Sequence, residues 1–174
     1  MAGQQAANAK TKPLYTADQK RLRDASVWTL VQGVLAPVQF LVFLVSLGLV
    51  LRYLITGEGQ SAAIISIVIK TLTLYTIMIT GAVWEKVVFG VYLFAEGFYW
   101  EDMVSMLVLA LHTAYLVALS YDLLDPRALM LLALAAYATY VVNAAQFILK
   151  LRAARLQSAA EAMTNAGAAM EAAQ

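Results

Sequence analysis

The sequence predicts an all-α integral membrane protein: four transmembrane helices in an antiparallel bundle, with both termini in the cytoplasm. Three observations carry this. The chain is 62% apolar and 13% charged, with a mean hydropathy of +0.72. A soluble domain averages about 45–50% apolar and about 25% charged, so the surplus apolar surface has to face lipid. Next, four uninterrupted apolar runs lie at about 29–51, 62–84, 103–121 and 127–149. Each approaches the ~20 residues a helix needs to cross ~30 Å of hydrocarbon. The runs lack period-two alternation and exceed the ~9–11 residues of a barrel strand. Last, five Lys and Arg (Lys10, Lys12, Lys20, Arg21, Arg23) precede the first run and three (Lys150, Arg152, Arg155) follow the fourth. The opposite loops hold only Arg52 and Arg127. Basic residues mark the cytoplasmic side, which places both tails and the 85–102 connector there.

Composition also excludes function classes. The chain has no cysteine, which removes disulfides, thiolate catalysis and Cys-ligated metals. A formal net charge of +1 leaves no basic face for nucleic acid once the tails are set aside. The first 27 residues are too charged for the apolar core of a cleavable signal. One domain is expected from 174 residues, divided three ways. Residues 1–25 form a disordered tail plus a short basic interfacial helix, 26–155 the four spans, and 156–174 a flexible Ala-rich tail.

In chain order, Thr16-Ala-Asp-Gln19 fits a capping box that starts the short basic helix at the headgroups. The first span begins near Ser26 or Trp28 and contains Pro37, whose ring removes one backbone hydrogen bond and should kink it. Gln32 and Gln39, seven apart, share a face. They serve either interhelical hydrogen bonds or a pocket. Two glycines mark the following turn, and Ser61 is the expected cap of the second span. That span carries Lys70, Thr73, Thr76, Thr80 and Trp84 on one arc. Lys70 lies roughly 12 Å from the outer end, and it either snorkels outward or faces the bundle and pairs there. The threonines can bond back to their own helix.

In the third span, Glu101, Ser105, Val108, His112 and Tyr115 form a single stripe. The chain's one histidine thus lies about 16 Å beneath Glu101. Intramembrane ionisable groups are costly and usually face a cavity. Asp125-Pro126 supplies a cap and a first-position proline for the fourth span. Thr139, Asn143, Gln146 and Lys150 make its polar stripe, flanked by Tyr137 and Tyr140.

The connector from Trp84 to Asp102 joins the second and third spans. It carries Glu85, Lys86, Glu101 and Asp102 at its ends, and two Trp, two Tyr and three Phe fall between 84 and 100. It reads as the mouth of a site opening at the membrane surface. No phosphate loop, nucleotide fingerprint or Ser-His-Asp order is present. One histidine cannot supply a bis-His haem site, and no cluster at metal-ligand spacing exists. What remains is acid–base chemistry by Glu85, Glu101, Asp102 and His112, beside aromatics suited to a large flat apolar ligand. The plain alternative for the charges is a solvated helix end, with acids favoured at a helix N-terminus.

The strings Asp24-Ala-Ser-Val-Trp-Thr-Leu-Val-Gln-Gly-Val-Leu-Ala-Pro37, Thr80-Gly-Ala-Val-Trp-Glu-Lys-Val-Val-Phe-Gly90 and Phe98-Tyr-Trp-Glu-Asp-Met103 resemble the vinyl (bacterio)chlorophyllide hydratase family of bacteriochlorophyll synthesis. So do Leu111-His-Thr-Ala-Tyr115, Tyr140-Val-Val-Asn-Ala-Ala-Gln-Phe147 and Lys150-Leu-Arg-Ala-Ala-Arg155. The resemblance covers roughly residues 20–156 and leaves out the tails. It implies a hydro-lyase of the bacterial inner, photosynthetic membrane, with its active site toward the cytoplasm. That enzyme adds water to the 3-vinyl group of chlorophyllide a or 3-vinyl bacteriochlorophyllide a, giving a 3-(1-hydroxyethyl) group. A general acid protonates the terminal carbon, the ring delocalises the charge, and activated water attacks the inner carbon. No cofactor is needed, since magnesium is part of the substrate.

On this reading Glu101 or Glu85 donates the proton, and Asp102 or the other Glu orients water. Lys86 pairs with the propionate, or with Glu85 or Asp102. His112 ligates the substrate magnesium or acts as an acid. Trp84, Trp100, Tyr115, Asn143, Gln146, Gln32 and Gln39 complete the expected substrate contacts. The expected partners are the tetrapyrrole and the bilayer, with a homo-oligomer or other pigment-synthesis enzymes as further candidates. The rival is a non-enzymatic membrane protein that binds or hands on a magnesium tetrapyrrole. A small transporter ranks behind both, because the acids sit at helix ends.

Overall fold

The computed structural model describes residues 14–172. The expected tail 1–13, with Lys10 and Lys12, lies outside the described residues. The described chain is entirely helical apart from its connections.

Helix α1, Ala17–Ala25, opens with the expected capping box: the Gln19 N–H donates to Thr16 Oγ1 at 3.2 Å, and the Thr16 N–H donates to Gln19 Oε1 at 2.9 Å. These bonds satisfy two N–H groups that a helix start otherwise leaves orphaned. Asp18 in the first turn and Arg23 in the last match the helix dipole. Helix α2, Val27–Thr56, follows after one residue, with Ser26 Oγ accepting from the Trp28 N–H at 3.2 Å. It continues through Pro37 without a break and ends at Gly57, which sits at φ 76°.

Helix α3, Gln60–Phe89, begins directly after Gly59 (φ 83°), so Ser61 lies inside the first turn rather than at the cap. Two nearly adjacent glycines in the left-handed region reverse the chain within three residues, and the helix restarts sooner than a serine cap would allow. Helix α3 ends at Gly90, φ 81°, whose N–H bonds the Lys86 carbonyl at 3.1 Å. Helix α4 spans Tyr99–Ser120 and helix α5 Pro126–Ala172. As expected, Asp125 Oδ1 caps α5, accepting from the N–H groups of Arg127 at 2.9 Å and Ala128 at 3.1 Å.

Four segments are long and apolar enough to cross a membrane: Val27–Thr56, Gln60–Phe89, Tyr99–Ser120 and Pro126–Thr164. Their outward faces carry large exposed apolar side chains, among them Leu41, Val45, Ile55, Leu72, Ile79 and Ile148, the surface a hydrocarbon solvent requires. Helix α5 continues as helix well past the apolar run that ends near 149.

Helix α2 packs mainly on α3 and α4 on α5, and smaller α2–α5 and α3–α4 contacts join the two pairs. In lipid such packing relies on close contact and hydrogen bonds between helices, worth about 0.6–2 kcal/mol each. Gln32 Nε2 donates to Thr80 Oγ1 at 2.7 Å, and Ser46 Oγ bonds both Ser66 Oγ (2.7 Å) and Tyr137 Oη (2.6 Å). Thr73, Thr76 and Thr80 bond back to carbonyls of their own helix. One core fills the middle of the bundle around Phe43, Ile67, Val108, Tyr115 and Tyr137. A second, smaller core of Tyr15, Val88 and Phe98 lies at the connector end, with Trp84, Phe89 and Phe147 against it.

Candidate active site

The connector end gathers two of the four acid–base candidates into one centre. Glu85 comes from the last turn of α3 and Asp102 from the first turn of α4. After Gly90 the chain takes an irregular path in which Phe94 adopts φ 61°, a conformation uncommon outside glycine. There the adjacent N–H groups of Phe94 and Ala95 point at the two carboxyls. Phe94 donates to Asp102 Oδ2 at 2.7 Å, and Ala95 donates to Glu85 Oε2 at 3.3 Å. The Glu85 and Asp102 side chains are also hydrogen-bond neighbours of each other. Both are buried, with 6% and 3% exposure. A hydrogen bond between two carboxyl groups needs one of them to carry a proton, because an ionised carboxylate only accepts. Two acids held this close and this deep form an arrangement in which one proton could be shared.

Glu101, beside Asp102 in sequence, faces a different neighbour. Lys150 of α5 donates to Glu101 Oε2 at 2.5 Å. This ion pair joins the start of α4 to α5.

His112 lies deeper, fully buried in the bundle core. Its Nδ1 is 2.8 Å from the Val108 carbonyl. A carbonyl can only accept, so Nδ1 carries the hydrogen and Nε2 keeps a bare lone pair. That Nε2 is buried and has no hydrogen-bond partner. The whole expected stripe of α4, Glu101, Ser105, Val108, His112 and Tyr115, is buried.

The expected substrate contacts divide. Trp84 belongs to the acid centre: its Nε1 donates to Thr29 Oγ1 at 2.9 Å, and its ring meets Phe89 and Phe98 edge-on at 5.7 Å each. Asn143 Nδ2 donates to Ser105 Oγ at 2.8 Å, one turn below Glu101, leaving its Oδ1 without a partner. Gln146 Oε1, both amide atoms of Gln39 and the Tyr115 hydroxyl are likewise buried and unpartnered. Gln32 is committed to Thr80. Two candidates stand apart: Lys86 Nζ bonds the Gly90 carbonyl at 2.7 Å and closes its own helix, and Trp100 is 70% exposed on the outer surface.

Three residues matter more than the sequence indicated. Lys150 appeared as a cytoplasmic-side charge and as one member of a polar stripe, and its position on that stripe was the available signal for a partner on α4. Lys70 faces inward rather than snorkelling, with Nζ 3.8 Å above the Tyr140 ring and no hydrogen-bond partner. Tyr15 covers the aromatic cluster at the connector end, stacking on Phe89 at 5.7 Å and lying 6.3 Å from Phe98. An apolar residue immediately before a helix cap is a staple position, which could have singled it out. Burial pushes its phenol above the ordinary range, and the Arg23 guanidinium over the ring opposes that shift.

Among the described residues, no three His, Cys, Asp or Glu come together as metal ligands. A shallow apolar groove of about 230 Å³ between α2 and α5 is lined by Phe43, Leu47, Leu134, Tyr137, Ala138 and Val141. It touches none of the carboxyls.

A family model described as 2-vinyl bacteriochlorophyllide hydratase matches residues 15–153. The chain is 64% identical over 154 residues to the 2-vinyl bacteriochlorophyllide hydratase of Rhodobacter capsulatus, covering 88% of this chain and 90% of that one. It is also 64% identical over 149 residues to the protein of the same name from Cereibacter sphaeroides, covering 85% and 92% of the respective chains. No solved structure matches it.

Proposed function

Because the chain belongs to the 2-vinyl bacteriochlorophyllide hydratase family and is a hydro-lyase of that kind, we propose that the Glu85–Asp102 pair hydrates the vinyl group of a chlorophyllide-type substrate. The group is position 2 in the family's name and position 3 in the numbering used above. The observation that carries this reading is the buried carboxyl pair, with two backbone N–H groups aimed at it and an aromatic cluster beside it.

The geometry distinguishes the two acids. Asp102 accepts the shorter bond from a backbone N–H, at 2.7 Å against 3.3 Å for Glu85, and such bonds favour the ionised form. The shared proton therefore rests on Glu85. Glu85 delivers it to the terminal vinyl carbon, which becomes the methyl group, and the positive charge on the inner carbon spreads into the macrocycle. Asp102 orients a water molecule, which attacks the inner carbon and gives its proton to Asp102. The hydrogen bond between the carboxyls then returns that proton to Glu85. Nothing is oxidised or reduced, and no cofactor enters. A positioned acid and base each contribute typically 10²–10⁴-fold.

Trp84 and Phe89, half-buried on the packed ring of Phe98, offer faces and edges to a flat apolar ring. The bare Nε2 of His112 suits the fifth coordination position of the substrate's magnesium, with its Nδ1–H fixed by a backbone carbonyl, as metal-binding histidines usually are. In a bilayer the contacts Gln32–Thr80, Ser46–Ser66 and Glu101–Lys150 correspond to an antiparallel bundle. The basic residues at both ends then put the acid centre on the cytoplasmic side of the bacterial inner membrane.

The test is hydration of chlorophyllide by membranes carrying Glu85→Gln or Asp102→Asn, read as a mass gain of one water. Each variant is expected to lose at least about a hundredfold in rate. Near-normal turnover by both, with the fold intact, removes the pair from the chemistry.

A further inference from the structure

We propose that Lys70, in the middle of the bundle, binds the carboxylate of the substrate. The inference deepens the function proposed above and rests on it. Lys70 is fully buried, and its Nζ has no hydrogen-bond partner. The face of the Tyr140 ring lies 3.8 Å from that Nζ. An ammonium in a low-dielectric interior costs several kcal/mol unless an anion meets it. A cation–π contact returns about 2 kcal/mol at most sites of this kind. The site is thus short of one negative charge.

No acid of the chain supplies that charge among the described residues. Glu85 and Asp102 are bound to each other and to the connector, Glu101 is bound to Lys150, and Glu58 pairs with Arg52 at the far loop. Asp125 caps α5 and is exposed. The bundle interior also holds further unmet polar atoms. His112 Nε2, the Tyr115 hydroxyl, both amide atoms of Gln39 and Asn143 Oδ1 are all buried without partners. They come from three helices other than that of Lys70. In lipid, groups of this kind persist where they face a ligand or a cavity.

The spacing fits one molecule reaching both centres. Lys70 and Glu85 are fifteen residues apart on α3, which is about 22 Å along the axis and about 60° around it. That separation is of the order of a chlorin ring with its vinyl and propionate groups together with the two side chains that would meet them. A chlorophyllide has a free carboxylate, and an ammonium is a strong partner for it. Lys86, the other lysine of α3, is already bonded to the Gly90 carbonyl near the surface. Lys70 would therefore fix the depth of the ring and place its vinyl group at Glu85.

The experiment compares the free acid of chlorophyllide with its methyl ester, which lacks only the negative charge. Binding is read by pigment absorbance in detergent-solubilised protein, without turnover. Wild-type protein is expected to bind the acid about tenfold or more tightly than the ester. Lys70→Met should bind the two alike, while Lys70→Arg keeps part of the preference. Glu85→Gln separates this proposal from the reaction itself: it should lose hydration and retain the full acid-over-ester preference. Equal affinity of wild-type protein for acid and ester overturns the proposal, and that comparison requires no variant to fold. An undiminished preference in Lys70→Met overturns it as well. A gain in thermal stability from millimolar acetate, with acid and ester bound equally, would assign Lys70 to a small free anion instead and equally overturn it.

Discussion

Replacing Lys150 by Met tests whether Glu101 is a structural anion or a catalytic acid. The Lys150–Glu101 contact joins the start of α4 to the later half of α5 at 2.5 Å, with the carboxylate side chain 9% exposed and the lysine 26%. Removing one partner of a fully buried ion pair costs about 3–5 kcal/mol, because it strands the other charge. Here the lysine is partly hydrated and the pair lies at the end of the bundle, so the expected cost is nearer about 2 kcal/mol. Glu101→Gln should cost about the same, and the double variant also about 2 kcal/mol, since the second change removes no further interaction. The coupling is then about 2 kcal/mol. Equilibrium unfolding in mixed micelles, followed by far-ultraviolet circular dichroism, measures all four proteins. An additive double variant, at about 4 kcal/mol, would refute the pairing. Hydration rates on the same samples supply the second criterion. Glu101→Gln should stay within about tenfold of wild type, whereas Glu85→Gln should not. An equal collapse of both would refute the division between the two glutamates.

Phe98→Ala should destabilise the connector end by about 3–5 kcal/mol, because Phe98 is 1% exposed and meets Tyr15, Trp84, Phe89 and Phe147; limited proteolysis of the connector would report it as faster cleavage. Tyr137→Phe removes only the hydroxyl bound to Ser46 at 2.6 Å and should cost about 1 kcal/mol in the same unfolding assay, with no change in hydration rate.

The parts of this protein governed by local physics were legible in the sequence. Four apolar runs gave four membrane-length helices, since hydrocarbon leaves a backbone no other way to satisfy its polar groups except a closed barrel. The capping box at Thr16, the Ser26 start and the Asp125-Pro126 start all formed as expected, because caps involve residues two or three apart. The α4 stripe was likewise a matter of helical period, and every member of it is buried. The fate of each polar group was not legible, because it depends on residues distant in sequence. Glu101 and Asp102 are neighbours with the same charge in the same first turn of α4. One meets Lys150, forty-nine residues away, and the other meets the Phe94 N–H and Glu85.

The same holds for Lys70, for which a snorkelling side chain and an inward one are equally compatible with its place on α3. Only packing against Tyr140 decides between them. The sequence by itself determined a membrane bundle with a charged aromatic connector, because hydrophobicity and helical period act along the chain. The tertiary structure alone decided that Glu85 and Asp102 form the pair and that Glu101 does not. Partner choice among charges is set by distances of a few ångströms between helices, and no periodicity encodes those.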